Sequence, residues 1–335
     1  MKLVIPMAGR GTRLRPHTHT TPKPLLPIAG EMMIERIVKT FKKTLDSEIT
    51  EIAFVLGDFG DEVKKRLAEM AERQGAKPSF YTQDVAMGTA HAVYCAAPSL
   101  EGEVIVAFAD TLFDSYEKVS VDDADCVIWL KQVEDPTRFG VAVMDGKRIS
   151  GFVEKPDEPI SDLAIIGVYY FRKGEDLRRE LQHIMDNDLK SSRGEYELTD
   201  AIDALLQQGN VFLPATVDEW LDCGTIRAWQ ETTNAVLEKE KFSYDATKYP
   251  GTKITPPCYI GENVKLKNAE IGPFVSIESG ASVTDSTVSN TIINTDATIT
   301  GSELDDATIG TNATVSGAKG SMHIGDDSQV NAKHA

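Results

Sequence analysis

Apolar residues in the first 240 positions follow two different spacings. Short apolar runs with strand character occupy residues 2–8, 52–57, 78–83, 104–110, 126–133, 140–144, 149–154 and 165–171. Between or after them, patterns with the 3.6-residue helical period predict helices at 32–45, 61–74, 89–97, 175–187, 198–208 and 225–240. Strand–helix alternation of this kind is typical of an α/β domain with a mostly parallel sheet covered by helices.

The pattern changes after Tyr249-Pro250-Gly251. From Ile254 a branched aliphatic residue recurs at steps of five or six, and Ile-Gly recurs at 260, 271, 309 and 324. This is the hexapeptide pattern of a parallel β-helix, in which about 80 residues give roughly four three-sided coils. An antiparallel β-domain with Thr-rich strands is the alternative. We therefore predict two domains, at 1–245 and 252–335.

The composition of the chain excludes several classes of partner and of site. The 335 residues are 41% hydrophobic, which argues against disorder. The net charge of −17 argues against nucleic acid or an anionic membrane as a partner. No run of about 18 apolar residues and no signal-peptide pattern is present, so a cytoplasmic location is expected. The four cysteines are widely separated, which favours single buried or half-buried thiols over a zinc site or disulfides.

Positive charge is concentrated before Glu31, the first acidic residue, at Lys2, Arg10, Arg13, Arg15 and Lys23. In the loop that follows the first strand, two glycines allow close approach of the backbone to a phosphate. The planar guanidinium of Arg13 can form two parallel hydrogen bonds to phosphate oxygens, and the ammonium of Lys23 is a compact positive charge. The loop is neither a Walker A motif nor a dinucleotide fingerprint, and a structural turn remains an alternative. Because ligands of parallel sheets bind at the carboxyl ends of strands, we expect residues 9–16, Gln83 and Asp110 along one edge of a cleft.

Two longer sequence motifs resemble those of a known protein family. Residues 9–16 (GRGTRLRP) and 22–28 (PKPLLPI) resemble the signature of sugar-1-phosphate nucleotidyltransferases. Segments around Gln83, Asp110, 139–141, 154–156, 194–200 and 220–225 follow in the order expected of that family. The resemblance implies a Rossmann-like nucleotidyltransferase core with a mixed, mostly parallel sheet, followed by a short left-handed parallel β-helix.

The resemblance also implies roles for individual residues. Arg13 and Lys23 would be catalytic, stabilising charge as pyrophosphate leaves. The nucleotide would be bound by Ala8, Gly9, Gly11, Thr12, Gln83 and Gly88. The sugar phosphate would be bound by Gly140, Glu154, Lys155 and Tyr169. The cofactor Mg²⁺ would be held by Asp110 and Asp222.

Each role has a structural alternative. Asp110 could cap the next segment, Asp222 could cap the helix that follows it, and Lys155 could be a solvated turn residue. Among the histidines, His17 and His19 are expected to be solvated and His91 to pack a helix.

The expected substrates are a nucleoside triphosphate and a sugar 1-phosphate, and we predict glucose 1-phosphate with dTTP or UTP. A GTP-dependent mannose-1-phosphate guanylyltransferase is one alternative, and a non-catalytic sugar-nucleotide-binding paralogue is another. A third gives the β-helix its own acetyl-transfer activity. The β-helix is expected to support a homo-oligomer, since its open end and flat faces invite pairing.

Overall fold

The computed structural model describes residues 1–191 and 194–332. Within these residues the α-helices are α1 Met33–Thr44, α2 Gly60–Arg73, α3 Thr89–Cys95, α4 Gly174–Asp186, α5 Leu198–Gln207 and α6 Ile226–Glu240. The strands of the first 222 residues are β1 Lys2–Pro6, β2 Pro27–Ile28, β3 Glu31–Met32, β4 Glu51–Leu56, β5 Lys77–Thr82, β6 Val104–Ala107, β7 Thr111–Asp114, β8 Cys126–Gln132, β9 Gly140–Asp145, β10 Arg148–Glu154, β11 Leu163–Phe171, β12 Phe212–Thr216 and β13 Glu219–Asp222. The later strands are β14 Lys253–Ile254, β15 Cys258–Ile260, β16 Lys265–Lys267, β17 Glu270–Ile271, β18 Val275–Ile277, β19 Ser282–Thr284, β20 Thr287–Ile293, β21 Thr298–Thr300, β22 Glu303–Ile309, β23 Thr314–Ser316, β24 Lys319–Gly320, β25 His323–Ile324 and β26 Gln329–Asn331. The helices and long strands confirm the sequence prediction, while β2, β3, β7, β12 and β13 were not predicted.

Two compact units divide the chain, and each contains two separate segments. The first unit is Met1–Gly9 with Glu35–Trp220; the second is Arg10–Ile34 with Leu221–Ala335, described as far as residue 332. The division expected at 1–245 and 252–335 follows the change of repeat pattern rather than packing, and it stays a prediction.

The first unit is built on a nine-stranded mixed sheet. Strands β6, β1, β4 and β5 are parallel neighbours, and the antiparallel β11 joins them to β8 and β9. Leu3, Val4 and Ile5 of β1 are fully buried, as expected of a parallel strand covered on both faces. This explains why the strand appears in the sequence as an unbroken apolar run.

The C-terminal strands form a parallel β-helix, which confirms the repeat prediction and rules out the antiparallel alternative. Strands stack in parallel with successive aliphatic residues in register, for example Ile277 on Ile293 and Ile293 on Ile309. Three such ladders fill the interior: Ile260, Ile277, Ile293, Ile309 and Ile324; Leu266, Val283, Ile299, Val315 and Val330; Ile254, Ile271, Val288 and Leu304. Two ladders therefore have five rungs, more than the four coils predicted, because paired residues are only 15 to 17 positions apart.

The turns of this β-helix explain its composition. Asn263, Asp285, Asp296, Asn312 and Asp327 have positive φ values between 49° and 57°. Asn and Asp tolerate this left-handed conformation better than other L-residues because their short polar side chains hydrogen-bond locally.

No helix among residues 1–191 and 194–332 is long and apolar enough to cross a membrane. The cysteines are single thiols, with Cys95 half-buried and Cys126, Cys223 and Cys258 buried, as predicted.

Candidate active site

The carboxyl ends of parallel strands bring three predicted residues of the first unit to one sheet edge. Gly9 follows β1, Gln83 follows β5, and Asp110 follows β6. A Cβ placed on Gly9 would meet no atom within 4 Å, and the residue is exposed. Protein packing therefore gives no reason for a glycine here, whereas close approach of a ligand to the backbone would. Ala8 is half-buried, and its carbonyl oxygen lies 3.0 Å from the position of a Cβ on Gly57.

Gln83 is held by a hydrogen-bond pair that fixes its amide. Its Nε2 donates to the carbonyl oxygen of Gly88 at 3.4 Å and lies 3.0 Å from Nδ1 of His91. Because the amide nitrogen can only donate, His91 Nδ1 must accept, which puts the ring proton on Nε2, 3.9 Å from Cys95 Sγ. Burial lowers the pKa of His91, which keeps the ring neutral and able to accept at neutral pH. The sequence predicted only a packing role for His91, and the structure adds a contact that orients the amide of Gln83.

Gly88 is required by its own surroundings. Its φ of 115° is strained for other residues, and a Cβ would lie 2.3 Å from the carbonyl oxygen of Tyr196. Tyr196 N donates to Met87 O at 2.8 Å and Ala90 N donates to Tyr196 O at 2.9 Å, so two chain segments cross without side-chain space between them. Thr89 adds to this crossing because its hydroxyl accepts from Leu198 N at 2.9 Å, at the start of α5.

The predicted sugar-phosphate residues of the first unit lie together. Glu154 pairs with Gly140 across β9 and β10, and its Oε2 lies 2.8 Å from where a Gly140 Cβ would be. Lys155 has a left-handed φ of 44°, and its Nζ lies 3.6 Å from Glu154 Oε1. Tyr169 is buried, and its pKa is raised by burial first and then by the nearby charges of Glu154 and Asp110. A tyrosine hydroxyl, two carboxylates and an exposed lysine therefore share one region.

Asp110 is exposed and accepts a hydrogen bond from the Thr111 hydroxyl at 3.3 Å. The segment that follows is strand β7, so Asp110 has no helix to cap. The alternative that Asp110 caps the next segment therefore reduces to a local bond from the hydroxyl of Thr111.

In the second unit, the signature loop contains three short 3₁₀ turns, at Thr12–Leu14, His17–His19 and Lys23–Leu25. Leu14 is fully buried and anchors the first turn, while its neighbours Thr12 and Arg13 are exposed. Gly11 has a φ of 58°, and a Cβ there would lie 3.2 Å from Lys23 Cβ. The turns therefore bring Gly11 against Lys23, two residues that the sequence predicts to bind the triphosphate.

Arg13 and Asp222, 209 residues apart, flank the same glycine. The position of a Cβ on Gly224 is 3.1 Å from Arg13 Nη2 and 2.9 Å from Asp222 Oδ1. Asp222 Oδ1 also accepts from Gly224 N at 2.8 Å. The start of α6 is capped instead by the Thr225 hydroxyl, which accepts from Ala228 N at 3.1 Å, so Asp222 is not the cap.

Sequence reasoning missed the histidine that supports the loop. His17 is fully buried rather than solvated, whereas His19 is exposed as predicted. No periodicity marks a buried residue inside an irregular loop, so the sequence offered no signal for it. Within residues 1–191 and 194–332, no three His, Cys, Asp or Glu side chains form a cluster that could hold a metal ion.

Known proteins are similar to this chain in sequence and in fold. A family model described as nucleotidyl transferase matches residues 2–239. A glucose-1-phosphate thymidylyltransferase of Streptomyces griseus is 28% identical over 88% of this chain and 87% of its own. A low-salt glycan biosynthesis nucleotidyltransferase of Haloferax volcanii is 33% identical over 74% of this chain and 69% of its own.

A solved structure agrees with these relatives. The crystal structure of a Bacillus anthracis protein assigned as a glucose-1-phosphate thymidylyltransferase, in complex with a sucrose, has a TM-score of 0.60 and 26% identity. It covers 73% of this chain and 96% of the Bacillus chain. The chain therefore belongs to the nucleotidyl transferase family, as one of its sugar-1-phosphate nucleotidyltransferases.

Proposed function

We propose that this enzyme transfers a nucleotidyl group from dTTP or UTP to glucose 1-phosphate, releasing pyrophosphate. The observation that carries the proposal is that Arg13 and Asp222 both lie beside Gly224, since a cation proposed to bind phosphate and a carboxylate proposed to bind the metal would serve the same charged substrate. The thymidylyltransferase from Streptomyces griseus, similar over most of both chains, supports the choice of sugar and nucleotide.

The chemistry needs cations more than it needs a base. An oxygen of the sugar phosphate attacks the α-phosphorus of the nucleotide, and the bond from that phosphorus to the β-phosphate oxygen breaks. Both reactants are anions, so the main barrier is their repulsion, which fixed positive groups offset. We assign Arg13 and Lys23 to the triphosphate, with Gly9, Gly11 and Thr12 presenting backbone to it. Lys155 is assigned to the sugar phosphate, and Glu154 and Tyr169 to the sugar.

Mg²⁺ is the proposed cofactor, because exposed carboxylates offer the oxygen ligands that suit it. It prefers oxygen ligands and is commonly held by one or two carboxylates together with substrate phosphates. Asp110 and Asp222, both exposed, are its proposed protein ligands. Once bound, the ion would neutralise charge on the phosphates.

The orientation of Gln83 supports a pyrimidine with an N–H at position 3. Both amide hydrogens of Gln83 are directed at protein acceptors, Gly88 O and His91 Nδ1. Its Oε1 is left to accept a hydrogen bond from the base. Thymine and uracil have that donor at N3, whereas cytosine has an acceptor there. Guanine also has a donor, at N1, so the orientation of Gln83 does not exclude GTP. The substrate screen described next distinguishes the guanylyltransferase alternative.

The test is a pyrophosphate-release screen with Mg²⁺ of dTTP, UTP, CTP, ATP and GTP against glucose 1-phosphate and mannose 1-phosphate. We expect the highest kcat/KM with glucose 1-phosphate and dTTP or UTP, and loss of activity with EDTA. A preference for GTP and mannose 1-phosphate would favour the guanylyltransferase. Absence of pyrophosphate for every pair would favour the non-catalytic paralogue.

A further inference from the structure

The second unit packs the segment that follows the phosphate loop directly on the last coils of the β-helix. His17 Nε2 lies 2.7 Å from Thr308 Oγ1, and the same hydroxyl lies 3.0 Å from His323 Nδ1. His17 and Thr308 are both fully buried. A β-helix coil and a loop residue almost 300 positions earlier therefore share a buried polar contact.

The protonation of this contact follows from its surroundings. The Nδ1 atom of His17 is buried, and it has no hydrogen-bond partner among the described residues. A bare ring nitrogen is easier to bury than an unpaired N–H, so the proton belongs on Nε2, which donates to Thr308. The Thr308 hydroxyl then donates to His323 Nδ1. Burial lowers the pKa of His17 to about 4, so the ring is neutral at pH 7 and the chain of donors keeps this direction.

A second contact holds the same segment through a carboxylate. Asp326 Oδ2 accepts from the hydroxyls of Thr20 and Thr21, and its Oδ1 accepts from Thr311 N at 2.8 Å. Nearby, a Cβ on Gly325 would lie 3.1 Å from Pro16 Cβ, so the two backbones are in close contact. One side chain therefore ties the loop to the terminal coil at two threonines.

The docked segment is connected in turn to the predicted phosphate-binding residues. The Thr18 hydroxyl donates to Gly11 O at 2.7 Å. The Cβ position of Gly11 lies 3.2 Å from both Thr18 Cγ2 and Lys23 Cβ. A shift of residues 17–21 would therefore displace Gly11 and Lys23.

The other end of the segment is fixed as well. Gly30 N donates to Glu278 Oε1 at 3.1 Å, and Trp229 Nε1 donates to Pro27 O at 2.8 Å. A Cβ on Gly30 would lie 2.3 Å from the Tyr259 ring, so the loop is held at close range there too.

We propose that the terminal coils of the β-helix position the phosphate-binding loop, with Asp326 and Thr308 as positioning residues for nucleotidyl transfer. The β-helix is then part of the catalytic apparatus and not only a surface for self-association. This inference rests on the proposed function for its kinetic test, and a proteolysis test is independent of it.

The kinetic test compares Asp326→Ala with Asp305→Ala. Asp305 is an exposed carboxylate of the same β-helix whose bond goes to Ser289, so its loss removes the same charge without touching the loop. We expect Asp326→Ala to lower kcat about tenfold to a hundredfold, because misplacement of reacting groups by about 1 Å has effects of this size. The KM for the sugar phosphate should change little, and Asp305→Ala should match the wild type.

Thr308 gives a second pair that remains informative if Asp326→Ala does not fold. Thr308→Val has nearly the same shape but no hydroxyl, whereas Thr308→Ser keeps it. We expect Thr308→Val to lower kcat and Thr308→Ser to retain most of it, with circular dichroism showing that both are folded.

Limited trypsin digestion measures the loop without any substrate. Trypsin can cut after Arg10 and Arg13, whereas Arg15 and Lys23 precede prolines. Cleavage after Arg13 should be about tenfold faster in folded Asp326→Ala and Thr308→Val than in Asp305→Ala, since cleavage follows local opening. Unchanged cleavage and unchanged kcat in folded Asp326→Ala and Thr308→Val would overturn the proposal. A wild type inactive with every nucleotide, but with accelerated cleavage in these variants, would reject the proposed function and leave the docking intact.

Discussion

Replacement of Gly88 by alanine tests whether the crossing of two chain segments is as tight as the structure implies. The new Cβ would lie 2.3 Å from Tyr196 O and 2.7 Å from Tyr196 N, both backbone atoms that cannot swing away. The φ of 115° with ψ of 177° adds strain that only glycine avoids. Strain of this kind costs about 1–3 kcal/mol and overpacking about 1–3 kcal/mol.

The protein can escape the clash by separating the segments, and this limits the magnitude. Separation breaks the hydrogen bonds Tyr196 N to Met87 O and Ala90 N to Tyr196 O. It also breaks Leu198 N to the Thr89 hydroxyl. At about 1 kcal/mol for each bond, this route costs about 3 kcal/mol, so the free energy of unfolding should fall by about 2–4 kcal/mol.

Urea unfolding followed by tryptophan fluorescence measures this change. The matched control is Gly9→Ala, at the same sheet edge, where the added Cβ meets no atom within 4 Å. The control should unfold within about 0.5 kcal/mol of the wild type, as surface substitutions usually do. A Gly88→Ala protein as stable as Gly9→Ala would refute the steric reasoning.

Three further outcomes are expected. Replacing His91 by Leu removes the acceptor that orients Gln83 and should reduce the preference for dTTP or UTP over CTP about tenfold, the value of one hydrogen bond. The control His91→Asn keeps an acceptor near the position of Nδ1 and should retain the preference. Equal nucleotide selectivity in the two variants would contradict the role assigned to His91. Burial lowers the pKa of His17 from 6.5 to about 4, so the unfolded chain takes up a proton that the folded chain refuses, and stability is lost as the pH falls from 6.5 toward 4. Urea titrations should show the wild type losing about 3 kcal/mol more than His17→Gln between pH 7 and 4, and parallel losses would show that His17 is not the group responsible. Asp110→Asn should abolish pyrophosphate release with the fold intact by circular dichroism, whereas the exposed control Asp123→Asn should be fully active; full activity of Asp110→Asn would remove the metal assignment.

Much of the fold could be predicted because burial leaves a periodic record in the sequence. The continuous apolar run of β1 and the helical spacing in α1 each follow from which faces are covered. The five- and six-residue steps after Ile254 could be predicted for the same reason, since each aliphatic stacks on one a coil away. The short strands β2, β3 and β7 could not be found because two to four residues carry no period.

The candidate site was predictable only where a motif marks it. Arg13, Lys23 and Gly11 belong to a motif rich in glycine and positive charge, which together with the family resemblance predicts a phosphate ligand. No sequence motif marks His91, Thr89 or His17. Their roles depend on hydrogen bonds to Gln83, Leu198 and Thr308, respectively. Their hydrogen bonds are set by the rotation of helices and loops, which a single sequence does not record.

By itself, the sequence determined the order of the main strands and helices and the β-helix repeat, and it predicted a phosphate ligand for the loop after β1. The tertiary structure decided which distant residues come together: Arg13 and Asp222 beside Gly224, and His17 with Thr308. The physical reason is that periodicity and composition report how each residue faces solvent or core. Contact between residues hundreds of positions apart depends on how whole elements pack, and that is fixed only when the chain folds.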